Sequence, residues 1–209
     1  MTSPFNVTNI IAEISKSGVL RNNKFQVEFS IPPSFLGKPG YEKLMGTNKV
    51  LSLYCEQCNI PGMALLTGDI RRYGYGPNEK KPYAPLFTDV SMALRGDAEG
   101  KVWAFMKEWS KSIINFEYRD GMTTKDKNGL YPFEVAYKYD PTHNEGYATT
   151  TSISVFDDTG TKTPIKVILR EAYPIFVGDI PLNWAARSDY MRIPVTMTFF
   201  SWYSETNDI

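Results

Sequence analysis

The chain has 209 residues, of which 42% are hydrophobic and 14% aromatic. That is enough to bury one substantial core, and the length reads most economically as a single domain, 1–209. Its 23 basic and 23 acidic residues cancel, which argues against a dedicated reader of duplex DNA, because such proteins meet the phosphates with excess Lys and Arg.

No window approaches the ~20 apolar residues of a membrane helix, and the chain does not open on a basic stretch followed by an apolar one. A soluble, unexported chain without membrane insertion is therefore expected. Val7, Ile10, Ile11 and Ile14 keep helical spacing, with Asn6 to cap and Gly18 to end a short N-terminal helix at 7–17. Residues 24–31 alternate, Phe25, Val27 and Phe29 against Gln26, Glu28 and Ser30, as in a half-buried strand that Pro32-Pro33 stops. A loop rich in Gly, Pro and Lys leads to a second strand at 50–59, with Leu51, Leu53 and Cys55 on one face, and Ile60-Pro61-Gly62 turns the chain. Residues 63–85, which carry Arg71-Arg72-Tyr73-Gly74-Tyr75-Gly76-Pro77, read as too polar and too rich in Gly and Pro to fill a core, and are expected to project as an arm.

A strand at 87–95 places Val90, Met92 and Leu94 on one side, and Gly96-Asp97 opens the main helix, 97–114. Val102, Phe105, Met106, Trp109 and Ile113 form its apolar stripe, which should close the sheets with Asp97 as cap. Burying each large side chain of such a stripe contributes roughly 1.5–3 kcal/mol. Residues 118–150 look like an insertion: polar and aperiodic at 120–128, strand-like at 132–139 with Phe133, Val135 and Tyr137 in phase, then loop again. Residues 151–156 and 164–171 pair as a hairpin across Asp157-Asp158-Thr159-Gly160-Thr161, and 172–184 connect it onward. The closing strand, 191–203, puts Met191, Ile193, Val195, Met197 and Phe199 on one face, while Pro194 favours an edge position at that point or a bulge. These elements predict a mainly β chain, an antiparallel β-sandwich or barrel-like fold, and not a parallel α/β one.

Chemistry is sparse. Cys55-Glu56-Gln57-Cys58 spells C-x-x-C, but two cysteines and the lone His143 leave a zinc site short of ligands, and i and i+3 on a strand face opposite sides, so two ordinary reduced cysteines are expected. His143 in a polar loop reads as solvated, and Asp157-Asp158 as part of its turn. Gly74-x-Gly76 near Lys80-Lys81 fits neither a dinucleotide loop nor a P-loop. No catalytic set, metal or cofactor follows, so an enzyme is not expected. The basic and aromatic run from Arg71 to Lys81 suits a neighbouring subunit better than single-stranded nucleic acid. Trp103 and Trp184 lie off the core registers and are candidate intersubunit anchors.

The order of motifs resembles the tail tube proteins of contractile-tailed, T4-like bacteriophages. The resemblance runs from Phe25-Gln26-Val27-Glu28-Phe29 through Cys58-Asn59-Ile60-Pro61-Gly62 and Arg71-Arg72-Tyr73-Gly74 to Val90-Ser91-Met92-Ala93-Leu94-Arg95-Gly96 and a helix ending near Trp109. It resumes in the hairpin from Ile153, in Leu169 to Pro174, in Val177-Gly178-Asp179-Ile180-Pro181-Leu182-Asn183-Trp184 and in the strand ending at Trp202. It covers about 22–117 and 151–203, with 32–48 and 118–150 longer than the compact family pattern.

The resemblance implies a structural virion protein, six copies to a ring, with rings stacked into a tube inside a contractile sheath as the channel for genome ejection. Implied partners are other copies of the chain, the sheath protein, baseplate or initiator and terminator proteins, and DNA in transient passage. The implied location is the virion tail, assembled in the host bacterial cytoplasm. Ring-stacking and intersubunit candidates are Arg71, Arg72, Tyr73, Tyr75, Trp103 and Trp184. A baseplate-proximal tube initiator of the same family and, from a different class, a β-sandwich carbohydrate-binding module are the alternatives.

Overall fold

The computed structural model describes residues 18, 20–35, 54–71, 74–117, 125–126, 129–138, 146–184 and 190–205. The expected helix at 7–17, the first part of the strand expected at 50–59, and His143 lie outside the described residues.

Two antiparallel sheets share one long strand. β1 (Phe25–Phe29) pairs with β6 (Thr149–Val155), and β6 with the first half of β7 (Ile165–Val177). On its other side that half of β7 pairs with β9 (Ser201–Ser204). The second half of β7 pairs with β8 (Arg192–Thr198), which pairs with β5 (Val90–Arg95), which pairs with β2 (Cys55–Cys58). The strand path is thus β1-β6-β7-β8-β5-β2, with β9 beside β7. β3 (Met63–Ile70) and β4 (Glu79–Phe87) form a separate two-stranded sheet.

β7 crosses between the sheets at a bulge. Thr149 faces Ala172 but Thr151 faces Leu169, so Arg170 and Glu171 together oppose Thr150, and Glu171 takes a left-handed φ of 52°. An extra residue of this kind bends a strand and raises its twist. Residues 172–177, expected as part of a connection, therefore continue the strand into the second sheet.

The closing strand expected at 191–203 is correspondingly interrupted. It follows β7 round the bend as β8 and β9, broken at Phe199-Phe200, where the Phe200 N–H donates to the Arg170 carbonyl at 3.0 Å. Pro194 sits inside the sheet opposite Ala93, yet its carbonyl accepts from the Gly178 N–H at 2.8 Å. A strand residue points both backbone groups to one side. The missing N–H of Pro194 faces the same side, at the very end of β7, so at most the return bond of one terminal pair is forgone.

The core fills the space between the sheets. Alternation delivers Val27 and Phe29 from β1, Ile153 from β6, Val167 and Leu169 from β7, Val90, Met92 and Leu94 from β5, and Ile193, Val195 and Met197 from β8, all buried. Helix α1 (Lys101–Ile113) covers this core with Val102, Phe105, Met106 and Trp109. The Trp109 ring meets Phe105 and Phe29 edge-on at centroid distances of 5.6 and 6.2 Å, and its Nε1–H donates to the Tyr147 carbonyl at 2.8 Å. The indole thus satisfies a buried carbonyl while filling the core.

Both ends of α1 are held. Gly100 enters it at a φ of 69°, and Asp97, three residues earlier, accepts the Val102 N–H at its Oδ1 (3.0 Å). Desolvation pushes the Asp97 carboxyl up, but the N–H groups of Val102 and Lys101 outweigh it and hold it below its ordinary value. Beyond the helix, Glu117 ion-pairs Lys107 at 2.8 Å and Lys111 at 2.7 Å. Hydrogen bonds from Lys107 and then Lys111 hold its carboxyl down to about 2.

Three expectations are corrected. Of the strand expected at 132–139, the described residues 132–138 form none: Pro132 has no N–H, Phe133 adopts a left-handed φ of 61°, and among the described residues only a single bridge, Ile114 to Val135, forms. Phe87 belongs to β4, and Thr88-Asp89 separate it from β5. The two cysteines do not face opposite sides. Cys55 opposes Leu94, Gln57 opposes Ala93 and Cys58 opposes Met92, so Glu56 is an extra residue and both thiols fall on the inner face with Met92 and Leu94.

Asp157-Asp158-Thr159-Gly160-Thr161 forms the turn its residues predict, with Asp157 Oδ1 accepting the Thr161 and Lys162 N–H groups at 3.0 and 3.2 Å and Gly160 at a φ of 72°.

Two stability predictions follow from the ends of α1. Asp97→Ala should cost about 1 kcal/mol, the usual value of a helix cap, a drop of about 2–4 °C in Tm for a chain of this size. Glu117 titrates at about 2 when folded and near ~4.3 when unfolded. Its contribution is therefore complete above about pH 5 and is lost as the pH falls from there through about 2. Thermal melts of Glu117→Gln should show a lower Tm at neutral pH and a shallower decline over that acid window, and a profile superposable on the unsubstituted protein would show that the two lysines contribute nothing.

Candidate assembly surface

The β3–β4 hairpin carries most of what is unusual about the surface. Met63, Leu65, Leu66, Ile70, Tyr83 and Leu86 are exposed along it, Leu65 by 58% and Tyr83 by 71%. So many large apolar side chains exposed on both faces of one hairpin mark a candidate interaction surface. The hairpin is regular, and its free sides are unequal. Cross-strand pairing runs from Met63–Phe87 to Ile70–Glu79, with Tyr83 bulged between Leu66–Ala84 and Thr67–Pro82. β4 carries Pro82 and Pro85, and β3 carries no proline. Proline survives in a ladder where its absent N–H faces outward, which blunts the free side of β4 and leaves that of β3 able to accept another strand.

The base and tip of the hairpin are tied locally. At the base Thr88 Oγ1 accepts the Gly62 N–H at 2.9 Å, and a Cβ on Gly62 would stand 3.1 Å from that oxygen. At the tip Arg71 Nε donates to Asn78 Oδ1 at 2.7 Å, while Gly74 and Gly76 take φ values of 75° and 97°. Tyr75, between those glycines, is 79% exposed.

The sequence-predicted residues occupy three places. Arg71 and Tyr75 lie at the hairpin tip, and Arg72 and Tyr73 lie outside the described residues. Trp103 is on the outward face of α1, 43% exposed, with the Lys107 ammonium 5.5 Å from its ring centroid. Trp184, wholly exposed, shares the segment after β7 with Leu182. The hairpin leucines and Met63 do not stand out in the composition of 63–85, where Gly, Pro and Lys surround them. The run Met63-Ala64-Leu65-Leu66 was the available signal.

A charged cluster marks the outer side of the β2 edge. The Tyr190 hydroxyl donates to Glu56 Oε1, Arg192 Nε donates to Glu56 Oε2 at 3.2 Å, and the guanidinium carbons of Arg95 and Arg192 each lie 4.7 Å from the Tyr190 ring centroid. The tyrosine hydroxyl first, then Arg192, hold the Glu56 carboxyl below its ordinary value. Among the described residues no group of three His, Cys, Asp or Glu side chains could hold a metal ion, and no helix is long and apolar enough to cross a membrane. The arrangement presents surfaces and strand edges.

Solved structures share this fold. A chain of the sheath-tube complex of the extracellular contractile injection system PVC, in its extended state, has the same fold at a TM-score of 0.55 and 15% identity, over 99% of each chain. The tube-terminating cap of the anti-feeding prophage matches at 0.53 and 13%, over 90% of this chain and 91% of that one. A chain of the anti-feeding prophage baseplate matches at 0.55 and 6%, over 91% and 98%. No curated protein sequence matches significantly. The family model for phage tail tube proteins matches residues 20–205, nearly the whole chain, and the protein belongs to that family.

Proposed function

We propose that the chain is the repeating subunit of a contractile tail tube, six copies to a ring and rings stacked within a sheath, forming the channel through which a genome is ejected into the host. The observation that carries this reading is the β3–β4 hairpin, whose apolar side chains are exposed in the protomer in a member of the tail tube family. In the proposed ring the hairpin is an arm against the neighbouring subunit, and edge strands such as β1 and β2 are covered when copies close on one another. Sheath, baseplate and terminator proteins are the other partners, the tail is the location, and assembly occurs in the host cytoplasm. DNA crosses transiently, which favours a wall without excess Lys and Arg, since a neutral or acidic lining does not hold phosphate. The balanced charge of the chain is compatible with that.

The likeness to a baseplate chain at the same TM-score of 0.55 supports one rival, a tube initiator. Electron microscopy of the purified protein and copy number in intact particles separate them: many rings per tail for the subunit, one for the initiator. A stable monomer that forms neither rings nor filaments and binds glycan would overturn both.

Two sets of substitutions test the surfaces. Leu65→Asp with Tyr83→Asp should leave protomer stability within about 1 kcal/mol, as for surface positions away from the core, and abolish self-association in sedimentation velocity. Arg71→Glu with Arg72→Glu should weaken ring stacking more than folding, so shorter tubes from protein of unchanged Tm are expected, and an unfolded variant would contradict the assignment of that tip to the surface.

A further inference from the structure

We infer that Cys55 and Cys58 are a dithiol that closes to an intramolecular disulfide across the β2 bulge, making the edge of the second sheet a site of reversible oxidation. The bulge creates the site. With Glu56 extruded toward Tyr190 and Arg192, Cys55 and Cys58 stand opposite Leu94 and Met92, residues two apart on β5. Two residues of strand span about 6.6–6.8 Å, at the upper end of the ~4.4–6.8 Å between Cα atoms that a disulfide bridges, and the bend of a bulge shortens the span. An unbulged strand would have placed the thiols on opposite faces, beyond any such bond.

The two thiols share the inner face of β2 beside Met92 and Leu94. Each thiol also reaches a nearby carbonyl, Cys55 Sγ to Gln57 O at 3.4 Å and Cys58 Sγ to Asn59 O at 3.6 Å. The influence of each thiol on the other lowers that of Cys55 below its ordinary value and raises that of Cys58, which burial raises further. The proposed exchange starts at Cys55 and is resolved by Cys58. Access exists as well. Both residues are only partly buried, and Cys58 lines a cavity of about 200 Å³ with Leu20, Phe25, Ile60, Ile153 and Ile165, at the gap between edge strands β1 and β2.

The oxidant is a low-molecular-weight disulfide. The Cys55 thiolate attacks one of its sulfurs, forming a mixed disulfide and releasing one small thiolate, which takes a proton. Cys58 then gives up its proton and attacks the Cys55 sulfur, expelling the second small thiol. Two protein thiols are oxidised and one small disulfide is reduced to two thiols.

The test treats the full-length folded protein with oxidised glutathione and follows intact mass, non-reducing peptide maps and free thiol. The expected result is loss of the mass of two hydrogens, a Cys55–Cys58 linked peptide, a fall from two free thiols per chain to none, and full reversal by dithiothreitol. Cys55→Ser and Cys58→Ser, each checked for an unchanged melting curve, should lose the hydrogen-loss product, and Cys58→Ser should instead retain one glutathione adduct on Cys55. Stable glutathione adducts on the unsubstituted protein, a disulfide-linked dimer, or thiols that react only after unfolding would each overturn the inference.

Discussion

The bend in β7 is the constraint on which the rest of the fold depends. A single strand of 13 residues belongs to both sheets, so the angle between the sheets, the space that α1 must fill and the break between β8 and β9 all follow from one backbone event at Arg170-Glu171. A non-glycine residue in the left-handed region costs on the order of 1–3 kcal/mol, and Glu171 is kept there from several sides. Its neighbours are locked into ladders with β6 and β9, the Phe200 N–H caps the Arg170 carbonyl, and Lys138 pairs with the Glu171 carboxylate at 2.9 Å. Had β7 run straight, Tyr173 to Val177 would have left β8 paired with β5 alone. Trp109 would then have had no second sheet to close against.

Bulges set function-bearing geometry elsewhere in the same way. The extra residue at Glu56 turns a carboxylate outward to Arg192 and two sulfurs inward, and the extra residue at Tyr83 displaces a large ring on the exposed hairpin. Each irregularity lies on a strand with one free side, where an unpaired residue disturbs only one ladder. The interior strand β5 shows the complementary behaviour. It runs in unbroken register with β8 from Val90 to Arg95, and its burial alternates residue by residue.

What was legible in the sequence divides along this line. β1, β5 and the stripe of α1 were readable because each obeys one period throughout and buries one face inside the chain, and β6 with its Asp157 turn because the turn residues mark where a hairpin must close. The bend at Glu171, the continuation of β7 past Ala172 and the common face of Cys55 and Cys58 were not, since a bulge changes which residues share a face without changing the order of residue types. Phe133, Val135 and Tyr137 show the opposite error. Their alternation was real, but Pro132 and the left-handed Phe133 removed the ladder that alternation requires, and the three side chains are exposed. At the assembly surface Tyr75 and Trp184 were legible as exposed aromatics, whereas the hairpin leucines were hidden by the prolines, glycines and lysines around them.

That last omission has a physical cause that applies to any subunit of a larger assembly. A hydrophobic pattern records every burial a side chain undergoes, within the protomer or between copies, and it does not say which. In β5 and β8 the apolar residues meet one another inside the chain, so period and burial coincide. In β3 and β4 they alternate on a sheet of two strands, too thin to make a core, and two strands alone are marginal in water unless something else covers them. The Gly62–Thr88 and Arg71–Asn78 hydrogen bonds hold the shape of the hairpin but hide none of its apolar surface. In the proposed tube, a hairpin tied at both ends and apolar on the outside gains from a neighbouring copy the burial that one protomer does not provide, and the unblunted side of β3 is where that copy would supply it.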